Sequence, residues 1–194
     1  GSQKIAYRYY LDNDFTHFMI IHGDNQGNGN EIAKNFLDAF EKNPDVDFII
    51  ASRFLTGSNV TRYNPFRTVG NHFFNFLTYL LTGYKMSDSG AGILFYRTEI
   101  LNSFPFDNLT NGPQFNPQLN ILIHSMSNLK ILEVPLHWVD SKEGSTISSL
   151  NYCITLLKIL AHYRINKTFF RKKGWELFHS DPQNFTPLLE FISR

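Results

Sequence analysis

A short polar segment that follows an apolar run has the clearest chemical potential in this sequence. Residues 15–21 (FTHFMII) are typical of a buried strand, and His22-Gly23-Asp24-Asn25-Gln26 follows directly. Asp24 and the amide oxygen of Gln26 are hard oxygen ligands of the kind that a divalent cation and its bound diphosphate require. Gly23 leaves room for a ligand. An Asp after a strand is also a common helix cap or turn former, so this segment alone allows both interpretations.

The composition excludes several broad classes of protein. A chain of 194 residues with 42% hydrophobic and 18% charged residues fits one folded domain rather than a disordered polyelectrolyte. The net charge of +1 argues against nucleic-acid binding, which needs clustered cations. The single Cys153 cannot form an internal disulfide, which favours a reducing, cytoplasmic location. No apolar run reaches the roughly 18 residues that cross a bilayer, so we expect any contact with the inner face of a membrane to be peripheral or to lie outside this sequence.

The predicted elements around the polar segment alternate between helix and strand. A helix over residues 31–41 joins the strand at 15–21 to a second strand at 47–51, which predicts two adjacent parallel strands. Further helices are predicted over 3–11, 66–81, 113–127 and 148–163, and further strands over 93–96 and 129–139, the last with an edge-type Pro135. The pattern predicts an α/β fold with an open, mainly parallel sheet flanked by helices. Ligands of such sheets bind at the carboxyl ends of the strands.

Other polar residues follow the same arrangement along the chain. Ser52 and Arg53 come directly after the second predicted strand, and Arg67 with Asn71 opens the helix that comes next. The segment 88–92 (DSGAG) is too rich in glycine to be helical, and it leads into the strand at 93–96. Cations at such positions could stabilise the negative charge of a phosphate.

In their order, these segments resemble motifs of the family 2 glycosyltransferases, which have the GT-A (Rossmann-like) fold and include the dolichol- and polyprenyl-phosphate sugar synthases. Residues 22–26 are similar to the family's Asp-x-Asp-x-Gln motif, with His22 in place of the first acid. Residues 51–53 resemble its Gly-Ser-Arg, residues 88–92 its Asp-x-x-Ser-Gly, and residues 133–136 its Glu-Val-Pro-Ile.

The resemblance implies a metal-dependent, inverting hexosyltransferase that uses Mn²⁺ or Mg²⁺. It would move a sugar from a nucleotide-diphosphate sugar to a lipid phosphate or glycan in cell-envelope polysaccharide or glycolipid synthesis. It assigns the metal to His22, Asp24 and Gln26, the donor diphosphate to Asp24, Gln26, Ser52, Arg53 and Arg67, the acceptor to Lys142 and Ser145, and catalysis to Asp88. Residues 1–147 would form the later part of the GT-A core, and residues 148–194 an amphipathic helix and tail.

Two departures from the family pattern leave alternatives open. Gln118 and Asn120 stand where many members have an acid, and a neutral amide cannot accept a proton. A lipid phosphate is already ionised and needs no base, whereas Asp88 would serve as the base for other acceptors. The family's amino-terminal strands, which bind the nucleotide base and ribose, have no counterpart, so we expect a GT-A fold that is incomplete at the amino terminus. A non-catalytic fragment or scaffold is the alternative; a nucleotidylyltransferase would need a glycine- and arginine-rich loop that we do not find.

Aromatic and basic clusters in the second half of the chain have two interpretations each. The predicted helix at 66–81 contains Phe66, Phe73, Phe74, Phe76 and Tyr79. We expect these rings to pack in the core, and the alternative is a helix that lies on a bilayer. The basic residues 171–173 fit a solvated turn, with contact to anionic lipid as the alternative.

Overall fold

A computed structural model describes residues 2–103, 106–126, 128–140 and 149–165. Helices and strands alternate over most of this length, as the sequence predicts. The helices are α1 (Ser2–Asp12), α2 (Gly29–Lys42), α3 (Pro65–Thr82), α4 (Phe115–His124) and α5 (Ser149–Ile165), with 3₁₀ turns at Thr98–Ser103 and Phe106–Asn108. The strands are β1 (His17–Ile20), β2 (Phe48–Ser52), β3 (Asn59–Thr61), β4 (Leu94–Arg97), β5 (Ile131–Pro135) and β6 (His137–Val139).

The main sheet has four strands in the order β1-β4-β2-β5, and β4 runs opposite to the other three. The predicted parallel direction of β1 and β2 is therefore confirmed, but the prediction that they are neighbours is wrong. Strand β4 lies between them because Leu94, Phe95 and Tyr96 are buried on both faces of the sheet, which is the environment of a central strand. The edge position predicted for Pro135 is confirmed, since β5 is the last strand of the sheet. The fold is mixed α/β and compatible with a Rossmann-like arrangement.

Alternate residues of the strands build two cores, one on each face of the sheet. Phe48 and Tyr96 point to the larger core, which α1, α4 and α5 cover and into which Tyr7 is fully buried. Ile49 and Phe95 point to the smaller core on the opposite face, which α2 covers. Helices on both faces of the sheet are thus confirmed, and α5 contributes Leu156, Ile159, Leu160 and Tyr163 to the larger core.

The predicted strand over residues 129–139 divides at Leu136. Its amide donates to the carbonyl oxygen of Ser52 at 2.9 Å, and its own carbonyl accepts from the amide of Asn59 at 3.3 Å. Leu136 thereby connects the main sheet to a second sheet, in which β3 pairs in parallel with β6. The short strand β3 was not predicted.

Helix α3 has well-defined ends but an unexpected orientation. The side chain of Asn64 caps its first turn and Gly83 ends it with a positive φ of 82°. The expectation that its rings lie in the core is wrong for Phe66, which is 87% exposed. It is also wrong for Phe73, Phe76 and Tyr79, each more than half exposed; Phe74 packs against the core. No helix within the described ranges is both long enough and apolar enough to cross a bilayer.

Candidate functional site at the strand ends

The polar segments singled out in the sequence converge at one edge of the main sheet. Strands β1, β2 and β5 end there, and antiparallel β4 begins there. The edge therefore gathers residues 22–26, Ser52 with Arg53, and residues 88–92. Asp140 joins them after β6, because the amide of Val139 donates to the carbonyl of Gln26 at 2.8 Å. We call these residues the strand-end site.

Arg53 and Asp88 form a two-pronged ion pair inside this site. The Nε of Arg53 donates to Asp88 Oδ2 at 2.7 Å and its Nη2 to Oδ1 at 2.9 Å, while the Arg53 amide also donates to Oδ2 at 3.2 Å. The Asp88 side chain is 1% exposed and that of Arg53 16%. Burial lowers the pKa of Arg53, but the adjacent carboxylate outweighs it, so the net shift is upward. Both oxygens of the predicted base are thus engaged, and its catalytic role stays a prediction.

Tyr63 lies between Arg53 of the strand-end site and Arg67 of α3. Its hydroxyl accepts from Arg53 Nη1 at 3.3 Å and from Asn71 Nδ2 at 2.7 Å, and no group among the described residues accepts the hydroxyl hydrogen. The guanidinium carbon of Arg67 lies 4.7 Å from the centre of the Tyr63 ring, a cation–π distance. Tyr63 was not predicted, because one tyrosine in a loop carries no recognisable signal.

Asp140 connects two of the predicted donor-binding residues. Its Oδ1 accepts from Gln26 Nε2 at 3.1 Å, and its Oδ2 accepts from Arg67 Nη1 at 2.6 Å. Sequence reasoning missed Asp140, although the signal used for Asp24, an acid directly after a predicted strand, was present there too. The connection fixes the amide of Gln26 so that its oxygen faces away from Asp140.

Asp24 is the exposed carboxylate of the site. Its Oδ1 accepts from the amide of Gln26 at 3.2 Å, in the form of an Asx turn. The ring of His22 lies edge-on to Trp138, with centroids 6.0 Å apart. Within the described residues no group of three His, Cys, Asp or Glu side chains could hold a metal. A cation bound at Asp24 would therefore take most of its ligands from a diphosphate and water, which suits Mg²⁺ and Mn²⁺ in substrate complexes.

The segment 88–92 is clamped from two helices. On α3, Asn75 Oδ1 accepts from the Ser89 amide at 2.9 Å and from the Ser89 hydroxyl at 2.8 Å. On α4, Asn120 Nδ2 donates to the carbonyls of Ser89 at 3.1 Å and Ala91 at 3.0 Å. Asn120 therefore positions the loop, and a carboxylate at this position could not donate to those carbonyls. Gln118 points elsewhere: its Oε1 accepts from the amide of Thr110 at 2.8 Å.

Gly92 allows a close approach between the segment and its surroundings. A Cβ added there would lie 2.4 Å from Asn116 Nδ2 and 3.0 Å from His22 Nε2. The missing side chain thus lets His22 and Asn116 lie against the backbone at the start of β4. The Oδ1 of Asn116 is buried without a hydrogen-bond partner among the described residues.

Ser52 has a structural environment. Its side chain is fully buried, its Oγ accepts from the Phe54 amide at 3.1 Å, and it lies 2.6 Å from Ser87 Oγ. The Ser87 amide in turn donates to Glu133 Oε1 at 2.9 Å. This arrangement directs the hydroxyl into the fold, and the role of Ser52 in binding the donor diphosphate stays a prediction. The acceptor residues Lys142 and Ser145 lie outside the described residues.

The residues and geometry of the strand-end site are the grounds for a functional interpretation. Neither a comparison with models of known protein families nor one with curated proteins finds a match for this chain. The interpretation therefore depends on which groups the fold brings together and on the chemistry that they allow.

Proposed function

We propose that the protein is a glycosyltransferase of the GT-A type that moves a sugar from a nucleotide-diphosphate sugar to a lipid phosphate or glycan acceptor. The observation that supports this most is the chain of contacts from Arg67 through Asp140 to Gln26 at the carboxyl ends of the strands. These contacts connect the guanidinium of Arg67 to Gln26, whose amide N–H donates to the exposed carboxylate of Asp24. Open α/β sheets bind their ligands at such strand ends.

The arginine side of the site fits a departing diphosphate. The Arg67 side chain is 39% exposed, and among the described residues only Asp140 accepts from it, through Nη1. Its other N–H groups can donate to phosphate oxygens. Tyr63 stacks on Arg67 and offers a hydroxyl hydrogen to the same region. Asp24, Gln26 and His22 would hold a divalent cation. That cation would stabilise the negative charge of the leaving diphosphate.

The acceptor side favours a nucleophile that is already ionised. Arg53 occupies both oxygens of Asp88, so a lipid phosphate, which needs no base, fits this geometry better than a sugar hydroxyl. In this reaction a phosphate oxygen bonds to the anomeric carbon. The bond from that carbon to the diphosphate breaks, and the diphosphate leaves with both electrons.

Calorimetric titration with Mn²⁺ and pyrophosphate or a nucleoside diphosphate tests this proposal. Asp24→Ala should lower the Mn²⁺-dependent affinity at least about tenfold, because a full charge and a hard oxygen are lost. His22→Ala should reduce the affinity less and change the preference between Mn²⁺ and Mg²⁺. Asp45→Ala is the matched control, since Asp45 is an exposed carboxylate just before β2, at the opposite edge of the sheet. Equal affinity in Asp24→Ala and the control would refute the metal–diphosphate site.

A non-catalytic scaffold is the alternative that two observations favour. The carboxylate of Asp88 is sequestered, and the described part of the chain offers no ready-made metal cluster. Radiolabelled sugar transfer to a polyprenyl phosphate distinguishes the two functions. Binding of the nucleotide without Mn²⁺ dependence and without transfer would support the scaffold.

A further inference from the structure

Helix α3 presents an apolar stripe to solvent. Residues 66, 69, 73, 76 and 80 repeat at alternating intervals of three and four, and each is more than half exposed. We call Phe66, Val69, Phe73, Phe76 and Leu80 the α3 stripe. At about 1.5 Å per residue it extends for about 21 Å. Continuous exposed apolar surface of this kind marks a site of contact with another molecule or a membrane.

The stripe lies on the side of α3 opposite the strand-end site. At about 100° per residue, its five members fall within about 80° of the helix circumference. Arg67 and Asn75, which contact Asp140 and Ser89 of the strand-end site, and Asn71 between them centre about 180° away. The stripe is thus no part of the site already described.

The charges around the stripe identify its partner. Residues 60–87 contain no Asp or Glu, and besides Arg67, which pairs with Asp140 on the other side of α3, they contain the cations Arg62 and Lys85. Helix α5, which packs against α3, also lacks acids and carries Lys158 and Arg164. Three of its apolar side chains, Ile154, Leu157 and Ile165, are also exposed. Because the whole chain has a net charge of only +1, the absence of acids here is a local feature. The lack of acidic residues would not strengthen binding to a protein surface of mixed charge. It would strengthen binding to an anionic bilayer, because no carboxylate there repels the lipid phosphates.

We infer that α3 lies on the surface of an anionic membrane, with the α3 stripe at the boundary between headgroups and acyl chains. The aromatic members suit this depth, about 5–10 Å into the bilayer, and the flanking cations Arg62 and Lys85 reach lipid phosphates at either end of the helix. The inference concerns a surface separate from the strand-end site and does not depend on sugar transfer.

Vesicle flotation of the full chain, without donor or metal, tests this inference. Phosphatidylcholine vesicles with about one third phosphatidylglycerol should carry the protein upward, and pure phosphatidylcholine should bind it several-fold less. The variant Phe66→Ser/Phe73→Ser should lower the partition coefficient at least about tenfold, because two phenyl groups no longer leave water. Phe15→Ser/Leu37→Ser is the matched control, since these side chains are 44% and 48% exposed on other elements, and it should bind as the unmodified chain does.

Several outcomes would overturn the inference. One is the absence of flotation with anionic vesicles, and another is equal binding to neutral ones. Unchanged binding of the stripe variant would place the contact elsewhere, for instance in the basic residues 171–173. Light scattering could show a dimer that the stripe substitutions dissociate. Together with an absence of vesicle binding, this result would mean that a second copy covers the stripe. Thermal unfolding of each variant verifies that it is folded.

Discussion

Replacing Asp88 with Asn should lower the free energy of unfolding by about 3–5 kcal/mol, because the Arg53 guanidinium then stays buried without its counter-charge. The magnitude follows from the environment of the pair. Asp88 is 1% exposed, and it accepts two side-chain bonds and one amide bond from Arg53. An Asn side chain keeps one acceptor oxygen but turns an NH₂ group toward an N–H donor. Each charge-assisted bond lost in a buried place is worth about 1.5–3 kcal/mol.

Urea denaturation followed by far-UV circular dichroism measures this loss. Asp107→Asn is the matched control, since Arg8 and Asp107 also form an Arg–Asp pair, at 3.0 Å, but with side chains 63% and 47% exposed. An exposed pair of this kind contributes less than about 1 kcal/mol. The double variant Arg53→Met/Asp88→Asn should be more stable than Asp88→Asn alone, because no unpaired charge remains. If Asp88→Asn costs no more than Asp107→Asn, Asp88 is not held by Arg53 and is free to act as a base.

Two further substitutions test the packing around the strand-end site and its response to pH. Gly92→Ala places a methyl group against the side-chain ends of Asn116 and His22, which must move aside, so urea denaturation should show a loss of about 1 kcal/mol. Gly70→Ala, whose new methyl meets nothing within 4 Å, should be neutral or stabilising, and an equal effect of both would refute the close approach. Burial lowers the pKa of His124 from 6.5. As the pH decreases, His124 is therefore protonated in the unfolded chain before it is protonated in the folded one, and the free energy of unfolding should fall below about pH 6.5. His124→Gln should reduce the dependence of the free energy of unfolding on pH between about pH 7.5 and 5.5. The reduction should be partial, because burial also lowers the pKa of His17. An unchanged dependence would contradict the lowered pKa of His124.

The elements of the fold could be predicted because their signals are local. The period of apolar residues located α2 and α3 to within two residues of their observed ends. The position of β4 could not be derived from connection rules, which place consecutive strands side by side. Its unbroken apolar run, residues 93–96, did carry a signal for a central strand, since both faces of such a strand are buried.

The strand-end site was predictable only in part, because its contacts join distant parts of the chain. Gln26 and Asp140 are 114 positions apart, and no local pattern shows that their side chains meet. The type and position of Asp24 were readable from one strand end. The sequestration of Asp88 was not, since it depends on the tertiary placement of Arg53.

The sequence of α3 left its orientation undecided, because apolar residues occupy more than one side of this helix. Phe74, Leu77 and Leu81 pack against the larger core, and the α3 stripe is also apolar. What fixes the orientation is the polar face of α3, which lies opposite the stripe. Burying the stripe would turn Arg67 and Asn71 into solvent, and both would lose the partners that they find in Asp140 and Tyr63. The bonds of Arg67 to Asp140 and of Asn71 to Tyr63 therefore keep α3 in the orientation that exposes the stripe.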